Sequence, residues 1–89
     1  MTNQEIAKIL YEMAAFYEMD DVPFKPRAYE HAAQAVEAFD EQITDVYREA
    51  GFAGLLKIPG VGRGIAEHIE EILKPGRLKI HERFQKKYP

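Results

Sequence analysis

The strongest constraint on this chain is a proline-glycine corner set between two apolar segments. Leu55-Leu56-Lys57-Ile58 runs into Pro59-Gly60-Val61-Gly62, and Arg63-Gly64-Ile65-Ala66-Glu67-His68-Ile69 follows with no spacer. Glycine admits positive φ and lets another backbone come close. Proline fixes one φ of the bend. Ile58 and the flanking leucines are expected to anchor one helix in the core, and Ile65 and Ile69 the next. The corner then opens the N-terminus of a helix, where backbone N–H groups lack intrahelical partners and carry partial positive charge. Such a terminus holds a phosphate without any positive side chain. The amides near Gly60, Val61, Gly62 and Arg63 are expected to point outward together as a nest for phosphate oxygens. Arg63 and Lys57 would add charge-assisted contacts. Amides meet phosphates and not base edges, so such binding ignores nucleotide sequence. A bulky residue at Gly62, such as Val, is expected to weaken that binding and to loosen the fold. The competing reading is a glycine-rich corner that joins two helices and binds nothing.

The rest of the pattern is helical as well. Thr2-Asn3-Gln4-Glu5 reads as a capping box. Ile6, Ile9, Leu10, Met13, Phe16 and Tyr17 then recur at three- and four-residue steps on one face. Met19 to Pro23 breaks that helix, and Pro26 suits the first turn of the next. Tyr29, Ala32, Ala33, Val36 and Phe39 form its stripe, whose alanines predict close helix packing. Asp40 is expected to cap a third helix carrying Ile43, Val46, Tyr47 and Ala50, with Gly51 at its end. Phe52 to Lys57 reads as a short fourth helix. Ile65, Ala66, Ile69, Ile72 and Leu73 mark the fifth, stopped by Lys74-Pro75-Gly76. Leu78, Ile80, Phe84 and Tyr88 predict a short last helix. The fold class is therefore all-α, a compact bundle of four to six short helices.

Length and composition narrow the setting. At 89 residues the chain is read as one small domain, 1–89, with the modest stability of its size class. With 46% hydrophobic and 30% charged residues, it has the balance of an ordinary globular domain. No apolar run is long enough to span a membrane. The polar, acidic N-terminus does not resemble a secretory leader. The absence of cysteine excludes disulfides and thiolate metal sites. These features point to the cytoplasm. The charge is unevenly spread. Residues 1–50 hold 4 Lys/Arg and 11 Asp/Glu, a net −7, and residues 51–89 hold 8 and 4, a net +4. The glycine corner lies in the basic half, which favours a polyanion as partner.

Other chemistries find little support. Gly60-x-Gly62-x-Gly64 lacks the dinucleotide spacing and follows a helix where that motif needs a strand. His31, His68 and His81 have no zinc-ligand spacing, and Asp20-Asp21 lacks a calcium loop. His68, three residues beyond Ile65, reads as a half-buried packing residue. Lys25, Arg27 and Tyr29 form a second basic-aromatic cluster. It either contacts phosphate or is a core tyrosine beside two solvated cations.

Leu56-x-Ile58-Pro59-Gly60-Val61-Gly62-x-Gly64-Ile65-Ala66-x-x-Ile69 resembles the helix-hairpin-helix motif of DNA repair proteins, placed at about 52–73. With Pro23-Phe24-Lys25-Pro26-Arg27-Ala28-Tyr29-x-x-Ala32-Ala33 upstream and Gly76-Arg77-Leu78-x-x-His81-Glu82 downstream, the chain resembles, from about Asn3 to Pro89, the N-terminal domain of bacterial and archaeal family X DNA polymerases. It is more distantly similar to the lyase domain of polymerase beta. The resemblance implies binding of single-stranded, gapped or nicked DNA at its 5′-phosphate, in base excision repair and gap filling, in a bacterial or archaeal nucleoid. The chain would act as a monomer, with a polymerase palm domain or other repair proteins as further partners and no membrane. Its implied DNA-binding residues are Lys57, Gly60, Val61, Gly62, Arg63, Gly64, Lys25, Arg27, Tyr29 and His68. A monovalent cation, K+ or Na+, would sit on the carbonyls of Leu56, Ile58 and Val61, with no other cofactor. The family's Schiff-base lysine falls on His68, a second pocket lysine on Gly64 and a pocket histidine on Phe24, whereas Glu67 matches. Imidazole does not form the stable imine of a primary amine. Binding without efficient lyase chemistry is therefore expected. The alternatives are a 5′-deoxyribose phosphate lyase using Lys25 as substitute nucleophile, and a protein-interaction domain that no longer binds DNA.

Overall fold

The computed structural model describes all 89 residues and contains five helices and no strand. They are α1 (Asn3–Met19), α2 (Lys25–Ala38), α3 (Ile43–Leu55), α4 (Arg63–Leu73) and α5 (Lys79–Lys87). The capping box at the start of α1 is formed in both directions. The Glu5 N–H donates to Thr2 Oγ1 (3.1 Å), and the Thr2 N–H donates to Glu5 Oε1 (2.8 Å). Ile6, Leu10, Met13 and Tyr17 of α1 are buried against α2, whose Ala32, Ala33 and Val36 are fully covered. The alanines let the two backbones approach closely, as their spacing predicts.

The start of α3 departs from the sequence reading. Gln42, not Asp40, occupies the N-cap position, and no side chain of that segment caps the helix. The cap comes from α1 instead. Buried Asn3 accepts the Ile43 N–H through Oδ1 (2.7 Å) and donates to the Glu41 carbonyl through Nδ2 (2.8 Å). Ala50 also departs from its expected stripe and lies exposed, because α3 turns mainly Ile43, Gly54 and Leu55 inward.

Gly51 breaks α3 into two arms with φ 65° and ψ −154°, a conformation that side chains disfavour. The second arm is shorter than the segment 52–57 expected for it. It tightens past Leu55, where the Lys57 N–H returns to the Gly54 carbonyl and the Ile58 N–H to that of Leu55, each at 3.2 Å. Leu55 is fully buried, whereas Leu56 is 39% exposed. Only one of the two leucines therefore anchors this arm. Along α4, Ile65, Ala66, Ile69 and Ile72 all face the core as expected. α5 returns to α1, where Phe84 stacks on Phe16 with ring centres 5.3 Å apart. Lys87 Nζ and the Tyr88 hydroxyl both reach Asp20 Oδ1 at 2.6 Å. These bonds hold the Asp20 carboxyl below its usual range, the Lys87 contact foremost.

Candidate nucleic-acid interface

The corner between α3 and α4 is a tight turn. The Val61 N–H donates to the Ile58 carbonyl (3.1 Å), which encloses Pro59 and Gly60. Proline second and a glycine at φ 84° third are the signature of a type II turn. Val61 also buries its side chain. Its amide thus closes the turn and does not face outward with its neighbours. The amides of Gly60, Gly62, Arg63, Gly64 and Ile65 have no acceptor within the protein. Four of these five are the last cap residue and first turn of α4, where the helix dipole is positive.

Gly62 holds the N-cap position of α4 with φ −86° and ψ −179°, an extended backbone that any residue adopts. A Cβ placed at Gly62 or Gly64 would meet nothing within 4 Å. Steric loosening of the fold by a side chain at Gly62 therefore does not follow, contrary to the sequence expectation. Of the corner's three glycines only Gly60, with its positive φ, is required by the chain's own conformation. The bare Gly62 and Gly64 leave the neighbouring amides uncovered.

Of those five residues, all but Arg63 border an open groove of about 630 Å³. Gly60, Gly62, Gly64 and Ile65 form one wall, Glu67 and His68 continue it along α4, and Lys25, Ala28 and Tyr29 of α2 form the other. The Tyr29 hydroxyl lies 2.6 Å from His68 Nδ1. Burial raises the Tyr29 phenol well above its ordinary range. Burial also pushes the His68 imidazole below its ordinary value; Glu71 opposes this and Lys25 adds to it. A phenol is the better donor to a neutral imidazole, so its O–H is assigned to Nδ1 and the ring proton to Nε2. The ring then offers an N–H donor besides its tyrosine bond. Lys25 Nζ sits 5.0 Å from the centre of the Tyr17 ring. Lys25 and Glu67 are opposite charges on the two walls, so the fixed side-chain charge of the groove cancels.

The other expected residues lie elsewhere. Arg27 lines a neighbouring depression with Phe24 and His31. Arg63 lays its guanidinium 5.4 Å over the Phe52 ring, and Lys57 is exposed beyond the turn. The carbonyls of Leu56 and Val61 accept no hydrogen bond within the protein, and that of Ile58 accepts one. No three His, Cys, Asp or Glu side chains cluster to hold a metal ion.

The sequence reading names Phe24 only as the position of a missing pocket histidine, not as an exposed ring. The Lys25 N–H donates to the Pro23 carbonyl (2.8 Å) and places Phe24 at the centre of a three-residue turn with φ 70°. Such turns are strained. The strain presents a ring that is 89% exposed, one residue from Lys25. The signal in the sequence was an aromatic between two prolines, on neither apolar stripe.

Two helices meeting at a glycine corner, with the second helix opening on uncovered amides, define a class of small all-helical domains. The chain belongs to the helix-hairpin-helix domain family, whose profile matches residues 1–78. Domains of this family are generally associated with DNA binding that does not read sequence. No curated protein matches the chain. No helix is long and apolar enough to cross a membrane.

Proposed function

We propose that this chain grips the DNA phosphate backbone in the groove between α2 and α4, and that a 5′-phosphate at a gap, a nick or a single-strand end is its preferred ligand. The observation that carries this reading is that Gly60, Gly62, Gly64 and Ile65, whose amides are unpartnered, line the same groove as Lys25 and His68. Phosphate oxygens accept from these amides, Lys25 supplies a charge-assisted contact, and His68 donates through Nε2. Because the charges of Lys25 and Glu67 offset each other, the backbone dipoles supply much of the attraction. The exposed Phe24 ring gives a surface on which an unpaired base stacks. Arg63, Arg27 and Lys57 flank the groove and take the phosphates on either side. A K+ or Na+ ion suits the carbonyls of Leu56, Ile58 and Val61, since two are free and the third keeps a lone pair.

The resemblance to family X polymerases gives this reading its setting, in which the chain positions gapped DNA for filling, as the N-terminal domain of such an enzyme or a free-standing relative. Lyase chemistry needs a primary amine, and Lys25 is the sole lysine lining the groove. Its Nζ lies on the Tyr17 ring, which favours a binding role. Borohydride treatment with a 5′-incised abasic duplex is expected to trap no adduct, and a Lys25-dependent adduct would establish the lyase reading. The binding test is fluorescence anisotropy on gapped duplexes with and without the 5′-phosphate. The phosphorylated duplex should bind more tightly, and Lys25→Ala should reduce the difference. Equal affinity of the unaltered chain for both duplexes would contradict the proposal.

A further inference from the structure

The segment from Lys74 to Lys87 carries six Lys/Arg and a single acidic residue, Glu82. Glu82 is spent on Arg77 at 3.8 Å, and Lys87 on Asp20 at 2.6 Å. Lys74, Lys79, Arg83 and Lys86 are exposed and their side chains form no ion pair, although the Lys79 backbone N–H donates to Glu71 Oε2 (2.7 Å). Three of these fall on α5 at steps of four and three residues, which sets Lys79, Arg83 and Lys86 on one face of the helix. The opposite face buries His81 and Phe84. The family match ends at residue 78, before this helix begins.

This face is joined to the groove through one ring. Tyr17 carries Lys25 Nζ at 5.0 Å from its centre and the edge-on Phe84 ring at 5.4 Å. Phe84 in turn borders the same small depression as Arg83 and Lys87. The packing thus runs from Lys25 through Tyr17 and Phe84 to the buried side of α5, with Arg83 at the edge of the basic face. At 1.5 Å rise per residue, Lys79 and Lys86 stand about 10 Å apart along the helix. Along a duplex axis that is about three phosphate steps of one strand, at 3.4 Å each.

We propose that α5 is a second backbone contact, in which Lys79, Arg83 and Lys86 hold phosphates of the duplex that leads away from the groove. This inference rests on the groove reading for its partner, but it concerns different residues and a different stretch of DNA. Unpaired cations spaced along one exposed helical face fit a regular polyanion. The local excess of positive charge also offsets the acidic N-terminal half, which would otherwise repel a long duplex.

The test compares the unaltered chain with Lys79→Gln/Arg83→Gln/Lys86→Gln and with a charge-reversed Lys79→Glu/Arg83→Glu/Lys86→Glu chain. Three probes are used: a 5′-phosphorylated gapped duplex with a long downstream arm, a short 5′-phosphorylated single strand, and phosphatidylserine vesicles. On the long duplex, loss of three contacts should lower the log–log salt slope by about 2–3. The short strand should bind all three chains alike, and the preference for a 5′-phosphate should persist. Helical circular dichroism and an unchanged melting midpoint establish that the variants fold, and the glutamine variant serves if the reversed one does not. An unchanged slope on the long duplex overturns the proposal. Retained duplex binding with lost binding to phosphatidylserine vesicles also overturns it and assigns the face to a lipid surface. Absence of any 5′-phosphate preference in the unaltered chain overturns the groove reading, whatever the slope shows.

Discussion

Gly60 and Gly62 stand two residues apart and do different work. Gly60 sits at φ 84°, where an L side chain crowds the following carbonyl. Gly60→Ala should destabilise the fold by about 1–2 kcal/mol, read from a urea titration. Gly62 caps α4 with an ordinary extended backbone and open space around it. Gly62→Ser should therefore hold or raise stability by a few tenths of a kcal/mol, because serine is the better N-cap. The same hydroxyl would accept the Gly64 or Ile65 N–H that a phosphate needs. DNA affinity should fall about tenfold, equivalent to about 1.4 kcal/mol. Parallel melting and anisotropy measurements check the opposed signs. His68 sets a pH dependence. Its folded pKa lies below its ordinary value, so the unfolded chain binds more protons between the two values. Its contribution to stability is complete above about 6.5 and is lost as pH falls through the folded pKa. A phosphate in the groove favours the imidazolium, so affinity should rise over that same interval. His68→Gln should flatten the rise, and a flat profile in the unaltered chain would contradict it.

At the scale of elements, the chain shows which ends are legible in sequence and which are not. The capping box of α1 lies within four consecutive residues, and the structure forms it as read. The cap of α3 comes from Asn3, forty positions upstream of the Ile43 N–H it receives. No local window contains that bond, so Asp40 was the natural candidate and was wrong. Asn3→Ala should leave the buried Ile43 amide unsatisfied and cost about 1–3 kcal/mol. Hydrogen exchange at Ile43 should quicken more than exchange along α2, and equal effects would contradict a local cap. The start of α4 facing the groove has neither kind of cap. Its vacancy was legible because glycine at positions 62 and 64 supplies no capping side chain. The commitment of the Val61 amide was not, since it depends on the turn type that Pro59 and Gly60 adopt together.

Over the whole molecule, periodicity told which face of each helix turns inward but not which helix it meets. The all-α class, the helix boundaries to within a few residues and the break at Gly51 were therefore readable. The meeting of α2 with α4 through Tyr29 and His68 was not, for the two residues lie 39 positions apart. That meeting brings Lys25, a marginal candidate in the sequence, onto the same groove as the glycine corner. It also leaves Arg27 outside, although Arg27 stands two residues from Lys25, because successive side chains on a helix point in different directions. The charge division into an acidic first half and a basic second half is visible in sequence. The structure adds that the hydrophobic cluster draws on all five helices, so both halves share one core. The most direct test of the account is an amide NMR titration with a 5′-phosphorylated oligonucleotide and its unphosphorylated twin. The phosphorylated strand should move the amide proton signals of Gly60, Gly62, Arg63, Gly64 and Ile65 downfield, with Val61 much less affected and the unphosphorylated strand weaker throughout. If those five signals stay in place while DNA binds, the strand is held elsewhere and the glycine corner is only a joint between two helices.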